Sequence, residues 1–108
     1  MHKVRKLYQE CYRLGNKIPK RDKFGLWAKV ETTNVEILTL TIKSALQSKN
    51  EKLETLETAR LQIEVLKQLI RLASEIKIIT DKIYLDLQNQ LQEISRMING
   101  WLKHTKGT

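Results

Sequence analysis

Tyr84–Trp101, YLDLQNQLQEISRMINGW, sets Tyr84, Leu87, Leu91, Ile94, Ile98 and Trp101 at successive spacings of 3, 4, 3, 4 and 3. Residues in that alternation line one side of an α-helix, because neighbours three and four apart lie on the same face. Between them stand Asp86, Gln88, Asn89, Gln90, Gln92, Glu93, Ser95 and Arg96. A helix polar on its remaining surface must bury the apolar seam against something else. This stretch therefore predicts a helix that exists only by packing. Asn99-Gly100 marks its fraying end, with Trp101 either folding back on the last turn or extending it.

Working back from this segment, the chain supplies three partners of the same kind. Leu56, Ala59, Ile63, Leu66, Ile70 and Ala73 repeat the alternation, and Leu69, Leu72, Ile76 and Ile79 widen the face. Glu51, Glu54 and Glu57 crowd the start of that helix, where carboxylates favour the positive end of the dipole. Ser48, at capping-box spacing from Glu51, or Asn50 caps it. Thr80-Asp81 is a weak break, and the chain must reverse there, since an unbroken helix onward from Glu51 would run to about 80 Å at 1.5 Å per residue. Further upstream, Trp27, Val30, Asn34, Ile37, Thr41 and Ser44 form one line, with Val35, Leu38, Ile42, Ala45 and Leu46 beside it. Two adjacent stripes describe a helix touched from more than one side. The first seam is Val4, Leu7, Cys11, Leu14 and Ile18, closed by Pro19, whose ring disfavours α geometry in the residue before it. Gly15–Gly25 reads as the one substantial loop, with Asp22 as N-cap of the helix that follows. The expectation is an all-α, up-down-up-down four-helix bundle in a single domain over 1–108, with helices over about 3–17, 23–47, 51–78 and 81–103.

Composition narrows the function classes. The chain has 108 residues, 20 Lys+Arg against 12 Asp+Glu, and a net charge of +8. No apolar run exceeds three residues, as in Leu26-Trp27-Ala28, far short of the roughly 20 residues of a membrane span or the 7–15 of a signal-peptide core. One cysteine, four Gly and one Pro give neither a disulfide nor a zinc pattern nor a phosphate-cradling glycine loop. Together these predict a cytoplasmic protein in a reducing compartment.

The basic excess is local. Residues 1–29 carry +7, residues 30–95 carry −2, and the last thirteen carry +3. A block this concentrated reads as an electrostatic footprint for a polyanion, with a solubilising face as the alternative. The candidate nucleic-acid-binding residues are Arg5, Lys6, Arg13, Lys17, Lys20, Arg21, Lys23 and Lys29. Tyr8 and Tyr12, interleaved with Arg5, Lys6 and Arg13, either stack on bases or mark the bundle boundary with their phenol tips in water.

Catalytic constellations are absent from the pattern. His2 and His104 sit at opposite ends of the chain, and no Glu-x-x-His pair of the ferritin-like kind occurs. Cys11 occupies a seam position and reads as a buried structural thiol. Glu57–Arg60, Glu64–Lys67 and Glu93–Arg96 are at i,i+3 spacing and read as ordinary surface pairs. No enzyme, metal, cofactor or small-molecule substrate is expected. Trp27 and Trp101 are candidates for packing or for a partner or subunit interface. Arg71, set in Leu69-Ile70-Arg71-Leu72-Ala73, either snorkels to the edge of its helix or meets a partner.

Three stretches, in order, carry a family resemblance: Ile18-Pro19-Lys20 with Lys23-Phe24, then Leu66–Lys77 (LKQLIRLASEIK), then Ile94–Lys103 (ISRMINGWLK). Together they resemble the four-helix-bundle family of the accessory variability determinant (Avd) of diversity-generating retroelements, which also includes the 23S ribosomal RNA intervening-sequence proteins. The chain departs from that pattern at Lys23, where the family often has arginine, and at Trp27, where glycine is common. The resemblance implies a homopentameric, barrel-like assembly with a basic surface. It also implies a non-catalytic accessory role, in which nucleic acid (RNA or DNA) and a reverse transcriptase are bound to support mutagenic retrohoming. The alternative is an intervening-sequence-type bundle acting as an RNA-binding or protein-adaptor module.

Overall fold

The computed structural model describes residues 2–107. Four long helices and one short turn of helix follow in order: α1 (His2–Gly15), α2 (Lys20–Lys23), α3 (Leu26–Leu46), α4 (Lys49–Glu75) and α5 (Asp81–Gly107). No strand occurs among the described residues, and no helix is long and apolar enough to cross a membrane.

Side-chain contacts fix the directions of the helices. Lys3 reaches Glu93 while Glu10 accepts from Gln90, so α1 and α5 run antiparallel. Asn34 contacts Cys11, and Trp27 lies against Gly15. This sets α3 antiparallel to α1. Lys67 meets Gln92 and Lys106 meets Glu57, so α4 and α5 are also antiparallel. The two-residue link between α3 and α4 leaves no other arrangement for that pair. The result is an up-down-up-down bundle measuring 46 × 21 × 19 Å.

The expected seams go inside except at Trp101, with Leu14 and Tyr84 half-buried. Val4, Leu7, Cys11 and Ile18 from the first segment meet Trp27, Val30 and Ile37 of α3. Leu56, Ala59, Ile63, Leu66, Ile70 and Ala73 of α4 meet Leu87, Leu91, Ile94 and Ile98 of α5. Burying a Leu or Ile contributes about 1.5–3 kcal/mol, so these rows outweigh any local propensity.

The helix ends differ from the sequence expectations at several points. The fourth long helix does not fray at Asn99-Gly100 but continues to Gly107. Leu102 and Thr105 prolong the buried row beyond Ile98, which offsets the roughly 1 kcal/mol helical cost of Gly100. Trp101 is outside that row. Asp22 does not cap the second long helix. Pro19 starts a turn of helix, α2, and α3 begins after Gly25. A Cβ at Gly25 would lie 2.9 Å from the Arg21 carbonyl oxygen, so only glycine fits this close approach. Ser48 is the N-cap of α4, without a side-chain cap bond, and Asn50 lies within the helix.

The break between α4 and α5 is a Schellman motif, which no glycine or asparagine in the sequence marks. Lys77 adopts φ 62°, Ile78 N–H donates to the Ala73 carbonyl at 2.9 Å, and Lys77 N–H donates to that of Ser74 at 3.1 Å. Thr80 Oγ1 then accepts from the Ile83 N–H at 3.2 Å, opening α5.

α1 is the short member of the bundle. Its 14 residues rise about 21 Å, against about 40 Å for the 27 residues of α4 or α5. It begins beside Glu93, midway along α5, and beyond that level α3, α4 and α5 close the bundle alone. A cleft of about 290 Å³ opens there, lined by Thr41, Ser44, Leu56, Trp101 and His104 among others.

Candidate nucleic-acid interface

The eight candidate cations all lie on one continuous segment. Arg5, Lys6 and Arg13 are on α1, Lys17 follows it, Lys20, Arg21 and Lys23 form three of the four residues of α2, and Lys29 is in the first turn of α3. All are exposed except Lys23, which is half-buried. At 100° per residue, Lys6 and Arg13 share one line of α1, well away from its buried seam.

Their charges are largely uncompensated. Among the described residues, the ion pairs join Lys3 to Glu93, Arg60 to Glu57, Lys67 to Glu64, Arg71 to Glu75 and Lys106 to Glu57. None of the eight takes part. Lys6 shares a cleft with Asp86, Gln90 and Glu93. Lys23 favours the charged form of nearby Glu31, although partial burial dominates and raises that carboxyl. The cations near the C-terminus are a separate group. Lys106 is engaged by Glu57, and that helix end lies away from α2.

The expected Glu93–Arg96 pair gives way to a longer-range one. Glu93 reaches across to Lys3 at 3.1 Å and ties α1 to α5. The other two expected pairs form on α4.

α2 carries an aromatic that the charge pattern had obscured. Phe24, its C-cap, is 72% exposed, the most open aromatic side chain described. The Lys23 ammonium lies 5.9 Å from its ring centroid, within cation–π range. On α1, Tyr8 and Tyr12 meet edge to face with centroids 6.4 Å apart. Tyr12 is exposed and Tyr8 half-buried.

Trp27 packs within the protomer. It is fully buried, and its indole N–H donates to the Cys11 carbonyl at 2.8 Å. Gly15 makes room for it: a Cβ there would sit 3.3 Å from the indole. Trp101 is 36% exposed on the wall of the cleft. Arg71 lies on the open surface of α4, 3.7 Å from Glu75, beside exposed Leu72 and Ile76.

α3 is amphipathic in an unusual sense. It buries Thr33, Asn34, Thr41 and Ser44 while exposing Val35, Ile42 and Leu46. Thr41 and Ser44 hydroxyls donate back to the Leu38 and Thr41 carbonyls at 2.8 and 2.9 Å, which makes their burial tolerable. Asn34 donates to the Val30 carbonyl and the Cys11 sulfur, but its Oδ1 is buried without a partner. Burial pushes the Cys11 thiol up to about 12, against the smaller opposing effect of the Asn34 amide. No group of three or more His, Cys, Asp or Glu side chains that could hold a metal occurs among the described residues.

The family comparison covers nearly the whole chain: the model described as bAvd-like matches residues 1–105. No curated protein gives a significant match.

Proposed function

The chain belongs to the bAvd-like family, and on that premise we propose that it is a non-catalytic accessory protein of a diversity-generating retroelement. In this reading it binds RNA or DNA together with a reverse transcriptase and supports mutagenic retrohoming. The supporting observation is the run of eight exposed or half-exposed cations from α1 through the first turn of α3, none in an ion pair among the described residues. An internal ion pair would have to be broken before phosphate could bind; these cations need only release solvent and counterions.

The protein works as a homopentamer in this reading. Val35, Ile42 and Leu46 on α3, with Leu61, Val65 and Leu72 on α4 and Ile76 at its C-cap, are apolar side chains one protomer leaves in water. Covering them with further copies would remove that apolar area, and cyclic closure would repeat the basic segment around a ring. Trp101 and Arg71 remain candidates for contacts with a neighbour or with the polymerase.

Light scattering with and without RNA tests both halves. The expected result is a five-chain particle whose mass rises when RNA is added, and which retains the cognate reverse transcriptase on co-purification. A monomer that leaves RNA free in low salt would contradict the proposal.

A further inference from the structure

We propose that Phe24 is a stacking platform for an unpaired nucleobase, which makes the α2 end of the bundle prefer single-stranded to duplex nucleic acid. The inference rests on the nucleic-acid reading above and names its substrate class.

Three observations carry it. The first is exposure. Phe24, Leu26 and Trp27 are apolar neighbours at one end of the bundle, yet Trp27 takes the interior position, Leu26 is half-buried and Phe24 stays 72% exposed. The second is rigidity. α2 is held by donation from the Lys23 and Asp22 N–H groups to the Pro19 carbonyl at 2.8 and 3.0 Å. The Phe24 N–H donates to the Lys20 carbonyl at 3.0 Å and the Gly25 N–H to that of Asp22 at 3.2 Å. Pro19 opens the turn with its fixed φ, and Gly25 closes it where no Cβ fits. The ring is thus presented from a fixed backbone, so little ordering is needed when it is covered. The third is charge. Lys20, Arg21 and Lys23 precede the ring in sequence, none forms an ion pair among the described residues, and the Lys23 ammonium, with Glu31 nearby, already lies near the ring.

An exposed ring flanked by free cations matches the chemistry of a single strand, whose bases offer open π-faces next to phosphates. A duplex keeps its bases stacked and offers only phosphates to the same cations. Phe24 therefore discriminates between the two, whereas the lysines and arginine do not.

The test is fluorescence anisotropy with a labelled oligouridine and a blunt RNA duplex of equal length, using the full chain, Phe24→Ala, Phe24→Tyr and the triple variant Lys20→Glu/Arg21→Glu/Lys23→Glu. Phe24→Ala is expected to weaken oligouridine binding about ten-fold, as removal of one stacked base would. It should leave duplex binding and the salt dependence unchanged, and Phe24→Tyr should restore the strand affinity. The triple variant should bind both ligands more weakly. Equal weakening of both ligands in Phe24→Ala, or of neither, overturns the stacking inference while leaving the basic surface intact. A fall in particle mass in Phe24→Ala, with strand affinity per particle unchanged, also overturns it by making the ring a subunit contact. A wild-type chain that binds neither ligand overturns the nucleic-acid reading itself.

Discussion

The indole N–H of Trp27 donates to the carbonyl oxygen of Cys11 at 2.8 Å, fastening the first turn of α3 to the end of α1. The bond lies in the interior, and the ring it positions is fully buried. Trp27 is thus a clamp within one protomer, at the place where the chain leaves the basic turn.

Trp27→Ala should cost about 3–5 kcal/mol, the usual range for deleting a buried large aromatic. Trp27→Phe keeps most of the apolar area and should cost less, about 1–2 kcal/mol including the missing hydrogen bond. Urea unfolding followed by circular dichroism distinguishes the two. Unchanged stability in Trp27→Ala would contradict the clamp.

The αL residue of the Schellman motif gives a change of opposite sign. Lys77 adopts φ 62°, a region costing a residue with a Cβ about 1 kcal/mol relative to glycine. Lys77→Gly should raise stability by up to about that amount, read as a higher urea midpoint with an unchanged slope. A lower midpoint would mean that the lysine side chain matters more than the backbone.

Cys11 provides a pH signature. Its thiol ionises at about 12 in the folded chain, raised from 9.0 chiefly by burial. Above pH 9 an unfolded chain has given up this proton while the folded chain retains it, so unfolding releases a proton. The contribution is therefore full below about pH 9 and disappears as pH rises towards 12. The stability advantage of wild type over Cys11→Ala should shrink as pH rises through about 9 to 11. At about pH 8 the native thiol should resist a disulfide reagent until denaturant is added; rapid labelling of the native chain would contradict its burial.

Much of this was legible in the sequence because period and burial coincide. Leu87, Leu91, Ile94 and Ile98 are apolar at helical spacing and all are inside. Asn34, Thr41 and Ser44 fall on the inner line despite their polarity, since Trp27, Val30 and Ile37 fix its direction. The illegible parts depend on contacts that spacing does not encode. Trp101 continues the 3-4 rhythm, but Leu102, equally far to the other side of the buried row, takes the interior place. Lys77 has no glycine or asparagine to signal αL. Glu93 pairs with Lys3, 90 residues away, in preference to a neighbour on its own helix. The openness of Phe24 could not be read either, because its neighbour Trp27 is equally apolar and goes inside.

The exposed stripe of α3 separates assembly from folding. Ile42 and Leu46 are 45% and 83% exposed in one protomer, so Ile42→Lys/Leu46→Lys should change monomer stability little, by about 0.5 kcal/mol per site or less. If these side chains are covered by neighbouring copies, the same variant should fall to the 12.7 kDa of one chain in light scattering. An unchanged mass would remove α3 from the assembly surface.

Whether the unpaired cations from α1 to α3 bind a polyanion is read most plainly from the salt dependence of RNA affinity. Log K should fall linearly with log salt, and Lys20→Glu/Arg21→Glu/Lys23→Glu should both weaken binding and flatten the slope by up to about one unit for each phosphate no longer neutralised. An affinity independent of salt, or a triple variant that binds with the wild-type slope, would show that these cations are not the binding surface.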